Sequence, residues 1–167
     1  MASTLDLLKR LAEHQVECVI IGGMAGVLHG SPIVTEDVDV CAPLDRENLA
    51  RILNALSGLH PRFRMNPQRP PLPDDPERLR GCKNLYLLTD LGQLDILSET
   101  SGIGDYGEVA RHAMVIEVGG TPYRVLDLES LIQAKRAMGR AKDLRAAAEL
   151  EAIRARIREK KGSDKST

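Results

Sequence analysis

The run Cys18-Val19-Ile20-Ile21 is short, β-rich and wholly apolar, and it stops at Gly22-Gly23. Such a run suits a strand buried on both faces that breaks into a tight turn, which is a position inside a sheet rather than at its edge. Asp37-Val38-Asp39-Val40-Cys41 then alternates acid with apolar residues, the pattern of a second strand whose two faces are chemically opposite. The chain is therefore constrained to a sheet that hides Val38 and Val40 while Asp37 and Asp39 project together on the other side.

The remaining pattern supplies the covering layers. Leu5, Leu8, Leu11 and Ala12 recur at helical spacing behind Ser3/Thr4, predicting an amphipathic helix over 4–15. Met24 to His29 reads as a short helix ended by Gly30-Ser31-Pro32, and Leu49, Ile52, Leu53 and Leu56 mark a helix from an Asp45 cap to Gly58. Six of the nine prolines fall between Pro61 and Pro76, which predicts a long surface loop. Lys83 to Thr89 and Gln93 to Ser98, around Asp90-Leu91-Gly92, predict a hairpin; Ala113 to Val118 and Tyr123 to Leu126 predict another. Asp127 caps a helix through Met138, Lys142 to about Lys160 is strongly helical, and the tail 162–167 is expected to be disordered. The order defines an α/β (α+β) class, a mixed sheet with helices packed on it. It is one domain over 1–161, with a core at 16–126 and C-terminal helices at 127–161.

Composition narrows the function. The 167 residues are 43% hydrophobic and 28% charged, and Lys plus Arg (23) nearly balance Asp plus Glu (24). A net charge of -1 gives no global field that steers the chain onto nucleic acid or anionic lipid, so any such contact is local. Aromatics are 2%, namely Phe63, Tyr86, Tyr106 and Tyr123, which excludes a base-stacking platform. Cys18, Cys41 and Cys82 form no Cys-x-x-Cys pair, so they read as reduced and buried rather than as a zinc or redox site. No run approaches a membrane span and the N-terminus lacks signal-peptide character, so the expectation is a cytoplasmic protein with no membrane contact.

Asp37 and Asp39 on one strand face repel each other unless a cation lies between them, and oxygen-rich acidic sites are what Mg²⁺ or Mn²⁺ prefers. With twelve aspartates in the chain, about one Asp-x-Asp pair is expected by chance, so context decides. Asp95, mid-strand in Leu94-Asp95-Ile96-Leu97, adds a third acid where a lone charge is costly to bury. If its strand pairs beside the Asp37 strand, the three carboxylates can hold two ions roughly 4 Å apart for a phosphoryl or nucleotidyl displacement. Gly22 and Gly23 open a helix whose amides can cradle a phosphate. Arg62, Arg64 and Arg69, with Arg78, Arg80 and Lys83, form the locally basic region, either a phosphate-attracting rim or a solvated loop. His14, His29, His60 and His112 lack metal-ligand spacing, His29 reading as a helix-end residue, and Ser98, Thr100 and Ser101 lack a triad arrangement.

Ile20-Ile21-Gly22-Gly23-Met24-Ala25, His29-Gly30 and Thr35-Glu36-Asp37-Val38-Asp39-Val40 together resemble the signature of the polymerase-β-type nucleotidyltransferase superfamily, closest to small bacterial members grouped with abortive-infection toxins. Leu131-Ile132-Gln133-Ala134-Lys135-Arg136-Ala137 and Gly139-Arg140-Ala141-Lys142-Asp143-Leu144 are similar to the helical segment of those relatives, and the likeness covers roughly 5–150. The resemblance implies that Asp37 and Asp39 are metal ligands and Asp95 a third ligand and candidate base. It further implies that Gly22 and Gly23 hold the triphosphate, Lys135 contacts phosphate with Lys142 second, and Asp143 holds that helix region. Relatives often carry a basic residue shortly before the acidic pair, where Ile33-Val34 stand here. The expected activity is Mg²⁺-dependent transfer of a nucleoside monophosphate from a nucleoside triphosphate to an acceptor hydroxyl on tRNA or other RNA, protein or a small molecule. The rival expectation is a catalytically inactive binding module of the same fold, a toxin-antitoxin component with a partner protein. A third is a structural protein with solvated acids.

Overall fold

Val19, Ile20 and Ile21 are all buried, as a strand covered on both faces requires, and they form β1 (Val19–Ile21) at the interior of the sheet. The structure, a computed structural model, describes residues 2–165. β1 is preceded by α1 (Ala2–Glu13) and followed by α2 (Gly22–Leu28), β2 (Val38–Cys41) and α3 (Arg46–Leu56). A two-residue strand, β3 (Arg62–Phe63), and a 3₁₀ turn (Pro76–Leu79) lead to the hairpin β4 (Asn84–Thr89) and β5 (Gly92–Leu97). The chain continues through β6 (Glu99–Thr100), β7 (Gly104–Asp105), α4 (Tyr106–Arg111), β8 (Ala113–Val118) and β9 (Thr121–Leu126). It ends in α5 (Leu128–Met138) and α6 (Ala141–Asp164).

Seven strands form one mixed sheet in the order β3-β4-β5-β2-β1-β9-β8, and β6 pairs with β7 separately. The hairpins β4/β5 and β8/β9 are antiparallel, as is β1/β2, whereas β2/β5 and β1/β9 are parallel. Alternation is kept on the central strands: Val38, Val40, Leu94 and Ile96 are fully buried, while Asp39 and Asp95 between them stay partly open. Leu7, Leu8 and Leu11 on α1 and Leu49, Ile52 and Leu56 on α3 complete the core, each buried leucine stabilising by about 1.5–3 kcal/mol. Asp45, Asp105 and Asp127 cap α3, α4 and α5 by accepting from the backbone N–H three residues on, at 3.1, 3.1 and 2.7 Å. Buried Asn48 ties α3 to the α1/β1 connection. Its amide nitrogen donates to the Glu17 and Pro43 carbonyls at 2.9 and 2.8 Å, and its oxygen accepts from the Glu17 N–H at 2.8 Å.

Several expectations are adjusted. Helix α1 starts at Ala2, so Thr4 lies inside the first turn and is buried rather than capping. Gly22-Gly23 opens α2 as expected, and the helix itself begins at Gly22 rather than Met24. The proline-dense segment carries β3, because Arg62 and Phe63 pair with Leu88 and Leu87 of β4 and form the edge of the sheet. Helix α4 was not expected; six residues are too few to display a helical period. Helix α6 continues past Lys161 through Asp164, with Ser163 Oγ donating to the Glu159 carbonyl at 3.1 Å, while 166–167 of the expected tail lie outside the described residues. Cys41 is buried but Cys18 and Cys82 are half-buried, and all three are free. His29 does end α2, and its Nε2 donates to the Leu126 carbonyl at 2.8 Å.

Candidate active site

Strand register places the acids. Ile21 on β1 lies opposite Asp39 on β2, Asp39 opposite Asp95 on β5, and Asp95 opposite Tyr86 on β4. Directly opposed residues share a face, so these four side chains form one row across four adjacent strands. Arg64, one residue past β3, donates its backbone N–H to the Tyr86 carbonyl at 2.8 Å and extends the row. Asp37 stands just before β2, exposed, and lines the same cleft of about 600 Å³ as Asp39 and Asp95. The far wall of the cleft comes from α5 and the start of α6, through Lys135, Arg140 and Lys142. An acidic sheet thus faces a basic helical wall, an arrangement that suits an anion bridged to the acids by a cation.

The Asp39 carboxyl is pushed up to about 6, chiefly by burial, then by the Asp95 and Asp37 carboxylates, with Lys135 and Arg64 pulling the other way. Gly22 explains the close fit there. Its φ is +65°, and a β-carbon on it would stand 2.3 Å from Asp39 Oδ2, so the carboxylate rests against bare backbone. Gly23 lies beside it against Thr35, whose Oγ1 would be 3.0 Å from an added β-carbon. No side chain caps α2, so its first-turn amides have no side-chain acceptor.

Lys135 is not a solvated surface lysine. Its side chain is 20% exposed and its Nζ lies 3.6 Å from Asp143 Oδ1. Asp143 is buried and also accepts from Arg140 Nε at 2.5 Å, so one carboxylate positions two cations of the basic wall. The Arg140 hydrogen bond, with Lys135 nearby, holds the Asp143 carboxyl below the usual aspartate range against the effect of burial.

The acids do not converge into one ligand set. Arg64 Nη2 donates to both oxygens of Asp95, at 2.7 and 2.6 Å, and the two side chains are only 25% and 19% exposed. Among the described residues, no three His, Cys, Asp or Glu side chains stand close enough to hold a metal ion together. The crowding at Asp39 fits a divalent ion held by Asp39 and Asp37, whereas Asp95 already has a counter-charge. In the sequence Arg64 stands as one of several loop arginines. Arg62-x-Arg64 at the end of a strand was the available signal, and proline density concealed the strand.

The architecture and the cleft define a class: the chain has the nucleotidyltransferase fold. Three solved structures carry that statement. The crystal structure of the provisionally named nucleotidyltransferase TM1012 of Thermotoga maritima superposes with a TM-score of 0.53 at 20% identity, covering 93% of this chain and 92% of that one. The antibiotic-resistance factor ANT(2'')-Ia gives 0.52 at 16% identity over 99% and 94% of the two chains. An antigenic nucleotidyltransferase-like protein from Paracoccidioides brasiliensis gives 0.53 at 16% identity over 98% and 90%. No protein-family model and no curated protein matches the sequence. Among the described residues, no helix is long and apolar enough to cross a membrane.

Proposed function

We propose that the protein is a nucleotidyltransferase that moves a nucleoside monophosphate from a nucleoside triphosphate to an acceptor hydroxyl, with release of pyrophosphate. The observation that carries this reading is the single cleft in which Asp37, Asp39 and Asp95 face Lys135, Arg140 and Lys142. Asp37 and Asp39 would hold Mg²⁺ or Mn²⁺, which supplies positive charge against the triphosphate. Gly22 lets the Asp39 carboxylate lie against bare backbone at the start of α2, the first-turn amides of Gly22 and Gly23 would hold the triphosphate there, and Lys135, oriented by Asp143, would contact it from the opposite wall. Asp95 is the third acid of the site. The chain mainly positions and neutralises, as nucleotidyl transfer demands.

The test is transfer of label from each α-labelled nucleoside triphosphate, with Mg²⁺, to tRNA, protein extracts and small hydroxyl compounds. Wild type is expected to label an acceptor, and Asp39→Asn, still folded by circular dichroism, is expected not to. Equal labelling by the two proteins removes the proposal. A second reading, a catalytically silent nucleotide-binding module such as a toxin-antitoxin component, is favoured by Arg64 lying on Asp95 and by exposed Ile33 and Val34 where relatives carry a basic residue. It predicts a nucleotide-dependent thermal shift without transfer.

A further inference from the structure

The arginine on Asp95 has the features of a built component. A single nitrogen, Nη2, sits astride both carboxylate oxygens at 2.7 and 2.6 Å, the place a chelated ion would take on a bidentate carboxylate. The guanidinium carbon lies 5.7 Å from the Tyr86 ring centroid, and the Arg64 backbone is fixed to the same residue by its N–H. Nε is buried without a hydrogen-bond partner among the described residues and Nη1 lies 3.5 Å from Met65 Sδ, so Nη2 is the nitrogen that meets the acid. Register then sets the consequence: Asp95 directly opposes Asp39, and a second ion between the strands would need the two oxygens that Arg64 holds. An arginine is permanently charged and less strongly hydrated than an ammonium group, which suits it to a half-buried, fixed counter-charge.

We propose that Arg64 takes the place of a second divalent cation at Asp95, so that the cleft loads one ion, on Asp37 and Asp39. This rests on the nucleotidyl-transfer reading for the identity of the ion site. Asp95 is then a positioning residue: it holds a cationic side chain in the cleft where the triphosphate would lie.

The test counts ions. Metal-stripped protein at neutral pH is titrated with Mn²⁺ alone, and free Mn²⁺ is read by electron paramagnetic resonance. Wild type is expected to bind one ion per chain, Arg64→Lys one, and Arg64→Gln two, because the uncharged side chain exposes Asp95. Asp95→Asn is expected to keep one ion with the wild-type affinity, and Asp39→Asn to lose it. Should Arg64→Gln not fold, Asp95→Asn decides: loss of the ion there means Asp95 is a ligand and overturns the proposal. Two ions on wild type, or one on folded Arg64→Gln, also overturn it and leave the transfer reading standing. No ion on wild type or Arg64→Gln removes both.

Discussion

Replacing Gly22 by alanine tests how tightly the fold is built around Asp39. The backbone there has φ +65°, a left-handed conformation that costs an L residue about 1–2 kcal/mol. The new methyl would also stand 2.3 Å from Asp39 Oδ2 and 3.0 Å from its Cβ and Cγ, so the whole side chain must leave its rotamer, at about 0.5–1.5 kcal/mol. The sum is a loss of roughly 1.5–3.5 kcal/mol, and for a domain of this size that lowers Tm by roughly 3–14 °C. Thermal and urea denaturation of Gly22→Ala, Asp39→Ala and the double variant separate the two parts. Asp39→Ala removes the 2.3 Å carboxylate contact and leaves the backbone cost and the 3.0 Å approach to Cβ, so the glycine substitution should be milder in that background by up to about 1 kcal/mol. A Gly22→Ala protein as stable as wild type, or one whose loss is the same with and without the Asp39 carboxylate, refutes the geometry.

Three further outcomes follow from charge and hydrogen bonding. Asp39 titrates near 6 in the fold against 3.8 ordinarily, so the folded state holds its proton more tightly and stability falls as pH rises between those values. In metal-free buffer Asp39→Asn should therefore be more stable than wild type above pH ~6, by at most about 3 kcal/mol, and the gain should vanish below pH ~4 in urea melts. Asp143→Ala should cost about 1–3 kcal/mol at neutral pH by leaving Lys135 and Arg140 without their shared acceptor. Because the Asp143 pKa is lowered, its contribution is present above the ordinary aspartate range and should be lost as pH drops below about 4. Asn48→Ala should cost about 3 kcal/mol, since the Glu17 N–H and two carbonyls lose their partner; chemical denaturation with an unchanged m-value checks it.

The site was legible where periodicity carried it. Acid-apolar alternation put Asp39 and Asp95 on strands, and neighbouring strands of a mixed sheet brought them together. Arg64 was hidden because its strand is two residues long and embedded among prolines, where local propensity favours a loop and only pairing with Leu87 and Leu88 forms a strand. The service of Asp143 to Lys135 and Arg140 is tertiary: it depends on α5 and α6 folding back on each other through left-handed Gly139 (φ +71°), which helical period alone does not register. Gly162 reads as a stop in the sequence yet lies inside α6, because a glycine costs only about 1 kcal/mol in a helix otherwise rich in alanine, arginine and glutamate.

Parallel pairing of β2 with β5 has a consequence for how such a chain can change over time. The carboxylates on these strands are aligned by ladder hydrogen bonds, and the excursion that links them, α3 and β3 with the proline-dense segment, lies outside that ladder. Residues added near Gln68 or Asp74 would lengthen the detour and leave the two acids facing each other, at little entropic cost. One residue inserted inside β5 would rotate Asp95 into the hydrocarbon interior and Ile96 into the opening. The molecule can thus remodel what it admits to the cleft while the part that handles charge tolerates no change of length.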